Sequence, residues 1–226
     1  MGLTDRAMLR LHIEAVWGVK LSPLEQNENT LVSASTQPDW RLYAADLAEG
    51  RVLVWRADVR SEEREKLRAR LAGAWSLPED ALQAAGVERE IAFRLSTEPR
   101  IDLAEARHLT RRLTQDDYEL IESFWPGEAE RVLREEQPLL GVIAAERLLS
   151  LAHSARRTAE ACELGIDTER DVRRKGYALA STVAWTAAII EEGLTPIYSA
   201  HSWNTASLHL AVAAGYREFA RAALLN

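Results

Sequence analysis

The sequence predicts an α/β protein, and three observations carry that prediction. Within the stretch Ala159–Ala178, Cys162, Leu164, Ile166 and Thr168 alternate with Ala161, Glu163, Gly165 and Asp167, the period of a strand with two unlike faces. From Gly176 onward the period turns helical, with Leu179, Val183, Ala187 and Ile190 on one stripe. The same interchange of strand and helix patterns runs through the residues on either side, and 226 residues with 47 % apolar content can build one large or two small domains with a real core.

Taken in order, residues 1–98 read as a separate α/β domain of unassigned role. Thr4 caps a helix whose stripe is Met8, Leu11, Ala15 and Val16, and Gly18 ends it. Leu31–Ala34, Trp40–Ala44 and Arg51–Ala57 read as strands, with a turn from Asp46 to Gly50. Ser61 opens a charged, solvated helix that closes near Gly73, a short helix at Leu77–Leu82 stops at Gly86, and Glu88–Leu95 reads as a strand. Trp17, Trp40, Trp55 and Trp75 suit core packing or an interface. Ser96–Asp102 has the composition of a linker.

A second domain spans 106–226. His108–Leu113 alternates like a strand, Thr114–Asp117 caps a helix, Trp125-Pro-Gly127 breaks it, and Glu128–Glu136 forms another helix. Pro138–Ala145 and Arg147–Ser154 read as two strands joined tightly, followed by the strand around Cys162. Cys162 itself reads as a core residue.

Charge and composition narrow the function. Lysine and arginine total 28 against 35 aspartates and glutamates, a net charge of −7 at pH 7. Nucleic acid is a poor expectation for such a chain, because phosphate contacts dominate that affinity. A local basic loop in an acidic protein suits a small anionic ligand better. The single Cys162 excludes an internal disulfide framework and fits a reducing compartment. Without a secretory leader or an apolar run of spanning length, the expectation is a soluble cytoplasmic protein with no membrane partner. No histidine has a partner at metal-ligand spacing, so no metal is expected.

That basic loop is Arg170-Asp-Val-Arg173-Arg174-Lys175, which leads into Gly176 at a helix start. The first N–H groups of a helix lack partners within it and carry the positive end of its dipole, so phosphate oxygens dock there if the backbone can be approached. Gly176 and Ala178 permit the approach, and the cations add charge. A solvated basic loop that merely starts a helix explains the same residues. The spacing matches neither a Walker loop nor a dinucleotide fingerprint.

The pattern Arg173-x-x-Gly176-x-Ala178 after a strand resembles the acetyl-CoA pyrophosphate loop of the GNAT superfamily of N-acetyltransferases, whose usual form is Q/R-x-x-G-x-G/A. The resemblance continues in register through Gly193–Ser207, with Asn204-x-x-Ser207, to Ala214-Gly215-Tyr216. It implies a mixed, largely antiparallel sheet flanked by helices over 106–226. It implies acetyl-CoA as co-substrate and transfer of its acetyl group to a primary amine of a small molecule or peptide. A catalytically weak acyl-CoA-binding or sensing module is the alternative. The short carboxy-terminal segment after Tyr216 leaves the last sheet edge to be completed by the amino-terminal domain or by a second subunit in a homodimer.

By the same resemblance, Leu164, Ile166 and Thr168 on the strand, Arg173, Arg174, Lys175, Gly176, Tyr177 and Ala178 in the loop, and Asn204 and Ser207 would contact the cofactor. Glu163 is the candidate base, with pairing to an arginine as its structural alternative. The family's acid is a tyrosine seven residues after the asparagine, and here that position is Ala211. Ser207, one turn earlier, would position a water instead, while Tyr198 and Tyr216 read as packing residues. Phe124, Trp125, His201 and Trp203 would line the acceptor cleft, although Phe124 and Trp125 also suit a buried helix end, and Asn204 a plain helix cap.

Overall fold

The computed structural model describes residues 2–34 and 37–226. Helix α1 (Asp5–Trp17) starts where Thr4 Oγ1 accepts the Ala7 N–H at 3.2 Å and stops at Gly18, whose φ of 61° suits glycine. Strands β1 (Val19–Lys20), β2 (Glu28–Thr30) and β3 (Ser33–Ala34) are short and precede the hairpin of β4 (Leu42–Leu47) and β5 (Gly50–Trp55). Helices α2 (Ser61–Ala74) and α3 (Glu79–Leu82) and strand β6 (Val87–Leu95) complete this part. The tryptophans pack as core residues: Trp40 and Trp55 are buried, and Trp17 meets Trp40 edge-on at 6.1 Å.

Next come α4 (Leu103–Leu109), β7 (Arg111–Arg112), a 3-10 turn at Gln115–Asp117, α5 (Tyr118–Phe124) and α6 (Ala129–Glu135). Strands β8 (Leu140–Ala144), β9 (Arg147–Arg157) and β10 (Ala161–Thr168) lead to α7 (Tyr177–Glu191), β11 (Thr195–His201), α8 (Thr205–Ala213) and β12 (Tyr216–Leu225). The expected strand at His108–Leu113 forms only in its second half, because His108 and Leu109 end α4. Asp102 accepts the Glu105 N–H at 2.7 Å as a cap, and Ala106 is fully buried in a helix that packs on α7, so only Arg111 and Arg112 pair as strand. Its alternation was carried by solvated charges, which do not fix a period.

Contacts divide the chain into two compact units that interleave in sequence: Met1–Arg94 with Ser199–Leu208 and Glu218–Asn226, and Leu95–Tyr198 with His209–Arg217. In the first, the strand order is β2-β5-β4-β12-β6. The carboxy-terminal strand pairs antiparallel with β4 of its own chain, from Ala220↔Leu47 to Leu225↔Leu42, which settles how that edge is completed. His12 Nε2 lies 2.8 Å from Glu90 Oε1, and the Tyr43 hydroxyl donates to the same oxygen at 2.5 Å. Burial pushes the Glu90 carboxyl up, but His12 and Tyr43 outweigh it and hold it below the usual range. A depressed carboxyl contributes its stability above its unfolded value and loses it as pH falls through the folded one.

In the second unit the order is β11-β10-β9-β8-β7, antiparallel except for the parallel pair β10–β11. Leu151 joins the core of Leu113, Ile121, Ala129 and Val132 beneath α5 and α6, while Ser154 receives the Trp185 indole N–H from α7 at 3.2 Å. Three residues apart on a strand, these two side chains point to opposite faces, so helices cover both sides of β9. The buried face of α7 is Ala180–Thr186 with Ile189, offset from the expected stripe, and Ile190 is half exposed. Small residues nearly all round let its backbone approach both the sheet and α4.

Gly215 shows how tightly the second unit closes. It has φ 89°, and a Cβ built there would lie 2.3 Å from the Thr97 carbonyl oxygen. Gly215→Ala adds a left-handed strain and a clash with backbone, so it should cost about 2–4 kcal/mol. Urea unfolding checks this, and a loss within about 0.5 kcal/mol, the range of neutral surface changes, would contradict it.

Candidate active site

Strand β10 organises the second unit. Its parallel ladder with β11 runs from Ala161↔Thr195 to Glu163↔Ile197, whereas its antiparallel ladder with β9 continues to Thr168↔Ser150. Past Glu163 the edge of β10 that faced β11 is open, and strand geometry directs alternate N–H and C=O groups of Leu164–Thr168 into that opening. The strand end is anchored: Thr168 Oγ1 lies 2.8 Å from Ser150 Oγ. Arg173 Nε donates to the Thr168 carbonyl at 3.3 Å, folding the loop back onto it.

The loop delivers the chain to α7 through Gly176, which has φ 86° and serves as the N-cap. The first turn begins with Ala180 N–H to Gly176 C=O at 3.0 Å, so the N–H groups of Tyr177, Ala178 and Leu179 precede the helical ladder. Nothing lies within 4 Å of where a Gly176 Cβ would stand. Arg173, Arg174 and Lys175 are exposed around it, and Val172 is buried beneath them. The strand residues Leu164, Ile166 and Thr168 and the loop residues Arg173–Ala178 thus form one run from the open edge to the helix mouth.

Glu163 is 5 % exposed, and its Oε2 accepts from Arg156 at 2.7 Å. The expected alternative, an arginine pair, is therefore present. On β9 one extra residue, Ala155, separates the partners of Glu163 and Leu164, a bulge that bends the strand beside this carboxylate. Cys162 is fully buried, and burial pushes its thiol up, as suits a core residue. Phe124 and Trp125 are half-buried against the α5–α6 core, with ring centroids 5.5 Å apart, and Trp125 stands edge-on to His153 at 5.0 Å. Pattern reading missed His153, because its place depends on strand register rather than on a motif.

The remaining expected residues belong to the first unit. His201 and Trp203 stack 5.3 Å apart with their planes 6° off parallel, His201 Nδ1 lies 3.2 Å from Glu88, and Trp203 is 61 % exposed. Asn204 caps α8, its Oδ1 accepting the Ser207 N–H at 3.2 Å. Ala211, in the second unit, is fully buried and offers no proton. The Tyr216 hydroxyl, in the second unit, is buried 2.7 Å from Thr186 Oγ1, and burial pushes it far up. Among the described residues no group of three or more His, Cys, Asp or Glu side chains is placed to hold a metal ion, and no helix is long and apolar enough to cross a membrane.

The cap gives a structural test of Asn204. Asn204→Ala removes the acceptor for the Ser207 N–H and should cost about 1 kcal/mol in urea unfolding. Asn204→Asp keeps that acceptor and should cost little; equal losses for the two would contradict a capping role.

Comparison with known proteins bears on the family pattern and the fold. Residues 140–221 match the model of a family described as GNAT acetyltransferase. An acetyltransferase of the GNAT family from Colwellia psychrerythraea shares the fold at a TM-score of 0.53 and 15 % identity, over 76 % of this chain and 75 % of that one. A GCN5-related N-acetyltransferase-like protein from Streptococcus suis matches at 18 % identity and a TM-score of 0.48, over 77 % of this chain and 71 % of that one. A GNAT-family protein from Novosphingobium aromaticivorans matches at 19 % identity and a TM-score of 0.49, over 62 % of this chain and 64 % of its own length, so this chain spans less than two thirds of it. No curated protein matches the sequence. Over residues 140–221 the chain carries the sequence pattern of the GNAT acetyltransferase family, set in a GNAT fold.

Proposed function

We propose that the protein is an N-acetyltransferase that moves an acetyl group from acetyl-CoA to a primary amine of a small molecule or peptide. The observation that carries this reading is the open edge of β10 leading straight to a glycine-capped helix start inside a basic loop. The pantetheine arm would pair with Leu164, Ile166 and Thr168 as a strand pairs, and the pyrophosphate would lie on the N–H groups after Gly176 among Arg173, Arg174, Lys175, Tyr177 and Ala178. Asn204 and Ser207 are assigned to the cofactor as well, and Phe124, Trp125, His201 and Trp203 to the acceptor. A cytoplasmic, reducing setting with acetyl-CoA and no metal fits this assignment.

The reaction needs a neutral amine, a polarised carbonyl and a tolerable leaving group. An alkyl ammonium has a pKa near about 10.4, so a proton acceptor is required at neutral pH, and Glu163 is the strand carboxylate assigned to that side. Backbone N–H groups along Leu164–Ile166 would stabilise the oxyanion. A thiol with a pKa of about 8.5 leaves without much help, so the buried methyl of Ala211 slows the reaction rather than forbidding it. That same alanine is the observation favouring the second reading, an acyl-CoA-binding module without turnover.

Acetyl-CoA at a hundredfold excess over its dissociation constant should stabilise the protein by about 2.7 kcal/mol, read as a rise in melting temperature. Gly176→Asp, which places a carboxylate at the helix start in a strained φ of 86°, should abolish the shift. Release of CoA thiol in the presence of an amine panel then separates an enzyme from a binding module. A melting curve unmoved by millimolar acetyl-CoA would contradict both readings.

A further inference from the structure

Beside β10 stands a pair of titratable side chains that none of the assignments above employs. His153 faces Gly165 in the β9–β10 ladder, and a Cβ built on Gly165 would fall 2.0 Å from Nε2 and 2.2 Å from Cε1. The imidazole therefore lies across the backbone of β10, in space that only a glycine leaves. Glu136, at the end of α6 and 7 % exposed, sets its Oε2 against His153 Nδ1, and Arg131 takes its other oxygen. The backbone holds the pair together, because the Ser154 N–H donates to the Glu136 carbonyl at 2.8 Å. Trp125, its ring plane 85° from that of His153, fixes the imidazole from a third direction.

This contact bears on the tautomer. Burial pushes the Glu136 carboxyl up, but His153 and Arg131 outweigh it and keep it below the usual carboxylate range. An ionised carboxylate only accepts, so a proton donated across this contact would sit on Nδ1 and leave the lone pair on Nε2, the nitrogen lying over β10. Glu163 is placed less well for the same task, since Arg156 already holds one of its oxygens. On β10, Glu163 and Asp167 stand two residues to either side of Gly165, and Arg156 reaches Glu163 from β9.

The geometry points to His153 as the general base of the acetyl transfer and to Glu136 as the residue that positions it, an inference that rests on the acetyltransferase reading. Nε2 takes a proton from the acceptor ammonium, and the freed nitrogen attacks the thioester carbonyl carbon. The N–C bond forms, the C–S bond breaks, and the thiolate leaves with the electron pair. The thiolate sulfur takes the second proton lost by the nitrogen, and His153 returns its own to solvent, giving amide, CoA thiol and one released proton.

The test uses the whole chain. Nitrogen-15 histidine spectra, with His153 identified by its loss in His153→Gln, should show the Nδ1–H tautomer; an Nε2–H tautomer would overturn the assignment whether or not an acceptor is in hand. With an amine from the panel, His153→Gln should lower kcat about a hundredfold, remove the acidic limb of the pH–rate profile and leave CoA affinity within about twofold. Glu136→Gln, which keeps the imidazole, should lower kcat about tenfold and move that limb to lower pH, and it carries the test if His153→Gln does not fold. An active wild type whose rate and limb survive in His153→Gln, or are lost only in Glu163→Gln, overturns the inference alone. A wild type that binds CoA but acetylates no amine overturns the acetyltransferase reading, and the role of His153 with it.

Discussion

The second unit depends on a place where hydrogen bonding stops. The parallel ladder between β10 and β11 ends at Glu163↔Ile197, while β10 itself runs on to Thr168. Backbone donors and acceptors must be paired or solvated, so the open edge of Leu164–Thr168 either meets water or takes a strand partner, the role proposed for it. Everything near it serves that opening. The Ser150–Thr168 hydroxyl pair fixes its far end, the Arg173–Thr168 bond turns the loop, and Gly176 starts α7 where the strand lets go. An extended chain ending in phosphates meets backbone groups first and a helix mouth second, which is the shape of a pantetheine arm with its pyrophosphate.

Charge follows the same division. The exposed cations sit in the loop, whereas the buried carboxylates Glu136 and Glu163 lie at the other end of the open edge, each held by an arginine. In the proposed enzyme, anion binding and proton transfer would thereby be kept apart along one strand. Glu90, His12 and Tyr43 form a comparable buried network in the first unit, where they bear on the stability of that core.

What was legible in the sequence was local. Arg173–Ala178 announces itself by spacing, Asn204 by its cap chemistry, and Thr4 and Thr114 by side chains that satisfy the nearest N–H groups. Features set by pairing between distant segments were not legible. The bulge at Ala155 and the meeting of His153 with Gly165 depend on register, and β12 chose β4 as its neighbour through contacts across the chain. The strand expected from His108 starts only at Arg111, because the solvated charges there alternate without fixing a period, and the buried face of α7 was blurred because alanines and hydroxyl residues make a wide, weak stripe. The roles proposed for Glu163 and Ser207 come from family likeness, and the structure adds their surroundings.

The claim that β10 accepts the pantetheine arm as a strand partner is tested most directly by hydrogen exchange of its own backbone. Under saturating CoA, the amides of Leu164–Thr168 that face the open edge should exchange at least about tenfold more slowly, as groups newly hydrogen-bonded do. Exchange that stays unchanged along Leu164–Thr168 while CoA is bound would place the ligand elsewhere and contradict the account.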